Sequence, residues 1–229
     1  MIRLTERDSK EHRTMIEKNK KDVYEAMKKY GQMMMNQEYP VGKAKMILET
    51  SDGVFSTKTD ADLANLTESD IEELWAHELP IKKADMKAIV YSQTPYCQQC
   101  LREGKTFTAS LDDMAQIFGP EACIVDGRED NSSRGKEILA ALKDNVGCLV
   151  LSGYNDQGEG IGYTVTMGRN LYEAVVAMTV LEKSAEVTLL AEKIGGAKPI
   201  PRWEAKLMRL VYKMKYSKAE EKVKASEVK

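Results

Sequence analysis

The most reactive side chains that this sequence sets close together are two thiols, in Cys97-Gln98-Gln99-Cys100. They follow Thr94-Pro95, and proline is favoured at the first position of a helix. Free amides and the helix dipole at such a start lower a thiol pKa. Cys97 and Cys100 are therefore a candidate thiol pair, with ordinary helix packing, redox sensitivity and metal binding all open. Zinc ordinarily takes four ligands, and the other two cysteines, Cys123 and Cys148, sit in apolar runs where a buried, inert thiol is usual. Only two histidines occur, His12 and His77, and neither is near the thiols in sequence. Glu72 and Glu73 are a candidate acid or base in what reads as the acidic first turn of a helix. Gly158, Gly160 and Gly162 miss the third glycine of a dinucleotide loop, because Tyr163 stands there and the run leads into a strand.

The elements that must position these residues alternate along the chain. Residues 6–32 have charged positions between Met15, Val23, Met27 and Tyr30 at helical spacing, and Gly31 with the Met33-Met34-Met35 run closes that helix. The methionines read as adaptable core filler. Asp52-Gly53 between two β-prone runs predicts a hairpin of residues 45–50 with 54–57. Thr67-Glu68-Ser69-Asp70 predicts the start of a helix that carries Ile71, Leu74, Trp75 and Leu79 inward until Pro80. Short strands are expected at 88–91, 122–125, 147–151 and 163–166. Between them, Asn131-Ser132-Ser133 opens a helix through Leu142 that turns Ile138 and Leu139 inward. Asn170 caps the longest clean helix, with Leu171, Val175, Met178, Leu181, Ala185 and Leu189 on one face and Gly195-Gly196 at its end. Pro199 and Pro201 precede a last helix over residues 203–218, basic and amphipathic. Its lysines are expected to face water and its apolar face to cover the domain or a neighbouring subunit. A membrane surface or partner helix is the other use of such a pattern. Strands and helices intermix throughout, which predicts a layered α/β domain.

Two stretches resemble a known family. Lys87-Ala88-Ile89-Val90-Tyr91-Ser92-Gln93-Thr94-Pro95-Tyr96 is similar to the strand and turn of class II aldolases and adducin head domains, where a His-x-His pair precedes Ser-Pro or Thr-Pro. Residues 147–151, followed by Gly162-Tyr163-Thr164-Val165-Thr166-Met167-Gly168-Arg169-Asn170-Leu171-Tyr172-Glu173-Ala174, resemble its second signature: a strand, a histidine-glycine turn, a strand, then Gly-Arg-Thr-x-x-Glu-Ala opening a long helix. The resemblance covers residues 87–193. It implies a three-layer α/β/α sandwich with a central, mainly antiparallel sheet, and assembly as a homo-oligomer, usually a tetramer. In the family, zinc held by three histidines acts as Lewis acid on small phosphorylated sugars.

Here the metal-binding positions depart from the family. Tyr91 and Gln93 stand at the first two histidine positions, and the third falls at Gly162 with Tyr163 beside it. Amide and phenol are poor zinc ligands, so no metal and no other cofactor is expected. The family's phosphate turns would fall at Gly42-Lys43-Ala44-Lys45 and Thr57-Lys58-Thr59-Asp60, and its catalytic acid near Glu72 and Glu73. The resemblance therefore implies a class II aldolase-like protein that has lost the metal site and serves as a non-catalytic ligand-binding, structural or regulatory member. Tyr91, Gln93, Gly162 and Tyr163 would line its pocket for a small acidic or phosphorylated ligand. The alternative is a lyase or epimerase with altered, metal-independent chemistry.

Bulk properties bound the remaining possibilities. The 229 residues are 42% hydrophobic and 31% charged, as in ordinary globular domains. One domain over residues 1–218 with a charged, flexible tail at 219–229 is expected. The net charge of −2 gives no electrostatic case for nucleic acid. No apolar run reaches the roughly 20 residues of a membrane span, no signal-peptide pattern opens the chain, and four cysteines do not make a disulfide scaffold. A cytoplasmic protein is expected.

Overall fold

The structure is a computed structural model that describes residues 6–75, 83, 85–128, 131–142 and 145–227. Its centre is a seven-stranded sheet in the order β3-β2-β1-β4-β9-β8-β7. The strands are β1 (Ala44–Glu49), β2 (Val54–Thr57), β3 (Ile71–Leu74), β4 (Ala88–Ser92), β7 (Ile124–Asp126), β8 (Gly147–Tyr154) and β9 (Gly160–Gly168). All pairs are antiparallel except β7 with β8. A two-stranded sheet pairs β5 (Phe107–Thr108) with β6 (Glu121–Ala122).

The period-two alternation of strands puts successive side chains on opposite faces, and both faces are apolar. Met46, Phe55, Ala88 and Val90 pack beneath α1 (Glu6–Met35) and the first half of α5 (Leu171–Glu192). The second half of α5 closes over Leu149 together with α2 (Pro95–Arg102), α3 (Asp112–Ile117) and α6 (Arg202–Glu227). On the opposite face, Ile47, Ile89, Cys148, Val150, Val165 and Met167 meet Ile138 and Leu142 at and just after the end of α4 (Asn131–Ala141). This is the expected three-layer arrangement. Each fully buried Leu, Val or Met contributes about 1.5–3 kcal/mol through apolar area removed from water. None of the helices, among the described residues, is long and apolar enough to cross a membrane.

Several sequence expectations need correction. The Thr67 signal is real, since Thr67 N–H and its hydroxyl both donate to the Asp70 carboxylate, at 2.8 and 2.6 Å. It closes only one 3-10 turn, Glu68–Asp70, before the chain extends as β3. Pairing with β2 over Ile71–Leu74 wins over helical propensity, and Trp75 is 73% exposed instead of buried. Leu79 and Pro80 lie outside the described residues. Helix α1 does not stop at Gly31 but runs through the buried Met34 to Met35. Gly31 serves another need: a Cβ there would stand 2.6 Å from the Leu63 carbonyl. The strand expected at 122–125 is two short ones, β6 and β7, that serve different sheets. The last helix continues to Glu227, through the residues expected to form a flexible tail. Lys206 and Lys213 face water as expected, but of the two covers expected for the apolar face the domain itself is not one. Ala205 and Arg209 are buried, and the Arg209 guanidinium donates to Gln116 O at 3.2 Å, while Trp203, Leu207, Leu210, Val211 and Met214 face outward.

Candidate functional site

The end of β4 runs beside β9 in a register that sets Tyr91 opposite Val165 and Ser92 opposite Thr164. Gln93 therefore comes alongside the Gly162-Tyr163 segment, and Gln93 Nε2 donates to Gly162 O at 3.0 Å. Tyr91 and Tyr163 share the α4 side of the sheet, with ring centroids 5.8 Å apart. The four expected pocket residues, Tyr91, Gln93, Gly162 and Tyr163, are thus brought together. On the other edge of β4, Gly42 N–H donates to Gln93 O at 2.7 Å and Gln93 N–H to Lys43 O at 3.0 Å. The first of the two expected phosphate turns, with exposed Lys43, therefore borders the same spot.

The electrostatics there are those of neutral dipoles. A second amide, Gln98 Nε2, also donates to Gly162 O at 3.0 Å, so two glutamines saturate that carbonyl's two lone pairs. Gln98 belongs to the Cys-x-x-Cys segment, where the thiols draw the attention of a sequence reading. Its place one turn into a helix that starts beside Gln93 is the signal that could have found it. Burial pushes the Tyr91 phenol well above the ordinary tyrosine range, which keeps it a proton donor. Its oxygen is buried and has no hydrogen-bond partner among the described residues.

Gly162 is required by packing. A Cβ on it would lie 1.9 Å from Val150 O, and one on Gly160 would lie 2.3 Å from Leu101 O. These glycines permit close backbone approach between β9 and its neighbours. The loop before them is a tight hairpin, with Asn155 N–H donating to Glu159 O at 2.9 Å and Gly158 in the left-handed region at φ 77°.

The donor set does not suit the zinc that the resemblance implies for the family. A side-chain amide already bonded to a main-chain carbonyl, a protonated phenol and a glycine do not make a zinc site. Among the described residues no group of three or more His, Cys, Asp or Glu side chains gathers anywhere. His77 lies outside them, and the side chain of His12 is not described.

Glu72 and Glu73 stand elsewhere. Both are on edge strand β3, three strands from β4 and so about 14 Å across the sheet. Glu72 is 3.4 Å from Lys45 Nζ and Glu73 3.4 Å from Lys20 Nζ. Glu73 and Lys20 also line a separate cavity of about 360 Å³ between α1 and β3.

The thiol pair behaves opposite to the helix-start argument. Cys97 and Cys100 are fully buried. Burial, then the Glu182 carboxylate, holds the Cys97 thiol well above its ordinary range, and burial with Glu103 pushes Cys100 up to about 12. The α2 dipole is already answered by Glu182, which projects from α5. Its carboxylate accepts from Thr94 Oγ1 at 2.5 Å, Tyr96 N–H at 2.8 Å and Cys97 N–H at 2.9 Å. Sequence reasoning misses this residue, although an acid on the buried stripe between Met178 and Ala185 is a visible anomaly. Both thiols should resist a disulfide-exchange reagent at pH 8 and react rapidly once urea unfolds the chain. Because the folded pKa values are raised, their stabilisation is complete below the ordinary thiol pKa of 9.0 and is lost as pH climbs above it. Urea midpoints measured from pH 8 upward should therefore fall.

The Gly-Arg-Asn segment has a structural role. Asn170 Oδ1 caps α5 by accepting from Glu173 N–H at 3.0 Å, and Glu173 in turn accepts from Arg169 N–H at 3.0 Å. The Arg169 guanidinium grips the same carboxylate with two nitrogens. A Cβ on Gly168 would stand 2.5 Å from Ala174 N. These residues fix where the long helix leaves β9, which in turn sets where Glu182 meets α2.

No family model and no curated protein matches the sequence. Solved structures do match. An L-fuculose 1-phosphate aldolase aligns with a TM-score of 0.70 at 18% identity, over 84% of this chain and 96% of its own. YgbL from Escherichia coli, named as a candidate aldolase, epimerase or decarboxylase, aligns at 0.68 and 18%, over 83% of this chain and 99% of its own. The L-fuculose-1-phosphate aldolase of Thermus thermophilus aligns at 0.61 and 18%, over 78% and 98%. With its mainly antiparallel sheet between helical layers, the chain has the class II aldolase-like α/β fold.

Proposed function

We propose that this protein keeps the class II aldolase-like scaffold without metal-dependent carbon–carbon cleavage, and uses the pocket at the end of β4 and β9 to bind a small acidic or phosphorylated ligand in a regulatory or structural role. The observation that carries this reading is the pair of glutamine amides spent on Gly162 O. In a lyase of this fold the same place must supply positive charge to an enediolate. Here it offers neutral dipoles, with Lys43 at the border as the one named cation.

A second reading has one observation in its favour. The Tyr91 hydroxyl is buried, protonated and without a partner among the described residues, so it could donate to an oxyanion. That chemistry also needs a base, and Glu72 and Glu73 stand about 14 Å away across the sheet.

The test is a thermal-shift screen of phosphorylated sugars and sugar acids in the presence of chelator, followed by a turnover assay on every hit. A ligand that raises Tm, loses its effect in Tyr91→Phe or Gln93→Ala, and is recovered unchanged supports binding without catalysis. Tyr91→Phe alone should change stability by less than about 1 kcal/mol, because no hydrogen bond is removed. Chelator-resistant conversion of the hit supports the second reading, and an empty screen rejects both.

A further inference from the structure

The cavity between α1 and β3 owes its lining to the sheet register and to helix spacing. Phe55 stands directly opposite Glu73 in the β2–β3 ladder, so both side chains rise from the same face of the sheet. Ile71 is two residues before Glu73 and shares that face. It is the face that α1 covers, since Phe55 and Ile71 pack in one apolar cluster with Val23 and Met27. On α1, Lys20 and Lys21 lie one turn before Tyr24, and all three line the space. Tyr24 is fixed there, because its hydroxyl donates to Leu66 O at 3.2 Å. Glu68, in the 3-10 turn that leads into β3, completes the wall.

Two charges of each sign therefore face this space. Lys20 and Glu73 already answer each other at 3.4 Å. Lys21 and Glu68 are exposed, and neither has an ion-pair or side-chain hydrogen-bond partner among the described residues. A simple anion entering here meets two carboxylates, and a simple cation meets two ammonium groups. A ligand with one charge of each sign meets Lys21 and Glu68 at once. Its apolar part then rests on Phe55, Ile71 and the Tyr24 ring. The volume of about 360 Å³ is at the small end of the range for small-molecule sites, so the ligand is compact. A free α-amino acid with an apolar side chain meets all of these requirements.

We propose that the cavity between α1 and β3 binds an apolar α-amino acid as its zwitterion, with the carboxylate on Lys21 and the ammonium on Glu68. The site lies at the β3 edge of the sheet, three strands from β4. It stands whether or not the end of β4 and β9 binds a ligand.

The experiment is isothermal titration calorimetry of the full chain with L-leucine, L-methionine and L-phenylalanine. At least one should bind saturably with a dissociation constant below about 10 mM. For the one that binds, the matching amine without its carboxyl group and the matching acid without its amino group should each bind at least about 10-fold more weakly, the scale of one lost hydrogen bond to a charged group. This comparison needs no variant. Lys21→Gln and Glu68→Gln should each weaken the amino acid by the same factor, and circular dichroism establishes that both fold. Lys136→Gln, on α4 across the sheet, should leave binding unchanged. No saturable binding by any of the three amino acids overturns the proposal. Equal binding of the amine or the acid also overturns it, because the cavity would then read one charge only. Binding indifferent to Lys21→Gln or to Glu68→Gln puts the ligand elsewhere and overturns it too.

Discussion

Replacing Glu182 with alanine should destabilise the protein by about 3–5 kcal/mol, the scale expected when three donors lose one shared buried acceptor. The carboxylate is fully buried and satisfies the Thr94 hydroxyl and the first free amides of α2 together. Without it, two backbone N–H groups and a hydroxyl lose their acceptor away from water, at about 1–3 kcal/mol each before relaxation. Glu182→Gln keeps one acceptor oxygen but turns an amide donor toward existing donors, so it should lie between wild type and alanine. Urea denaturation followed by circular dichroism measures both. A loss below about 1 kcal/mol for alanine would mean that water or another side chain takes over the cap, and that the α2–α5 junction is not held by this carboxylate. The junction matters because α2 also carries Gln98, one of the two amides on Gly162 O.

Gly162→Ala should be at least as damaging, and is expected to prevent soluble expression or cost more than about 3 kcal/mol. The obstacle is backbone, a Cβ 1.9 Å from the Val150 carbonyl, so no rotamer change relieves it. Relief requires β8 and β9 to separate where they pair Leu151 with Gly162. Gly158→Ala is the matched control. Nothing lies within 4 Å of its Cβ, and only its left-handed φ is strained, so its cost should stay near about 1 kcal/mol. Equal stability of the two variants would show that β8 and β9 approach each other less closely than these distances require. The same collision bears on metal binding, since a histidine cannot be placed at Gly162 without moving the strand.

The span from Lys87 to Lys193 is the most legible part of the chain because its signals are local. Pro95, Asn170 and the Leu171–Leu189 stripe each specify a helix boundary or face within a few residues. Residues 67–75 read as a helix because Ile71 and Leu74 are three apart, which suits a helix face. What decides for a strand is the β2 ladder, fourteen or more residues away in sequence. Gly31 looks like a helix end, but its absence of side chain serves the passing Leu63 carbonyl, a non-local contact. The candidate site is half legible. Tyr91, Gln93, Gly162 and Tyr163 follow from the family resemblance and converge in space. Gln98 and Glu182 are hidden inside helices whose apolar residues dominate the pattern. Which face of the last helix turns outward depends on where α3 lies, and no local pattern carries that information.

The shortage of charge at the end of β4 and β9 is tested most directly by dialysing the purified protein against zinc, removing free metal and counting bound ions by mass spectrometry under native conditions, alongside Gln93→Ala and Tyr91→Phe. The expected result is substoichiometric zinc that does not differ between wild type and variants. One zinc per chain, retained by the wild type and lost on substitution of Gln93 or Tyr91, would contradict it.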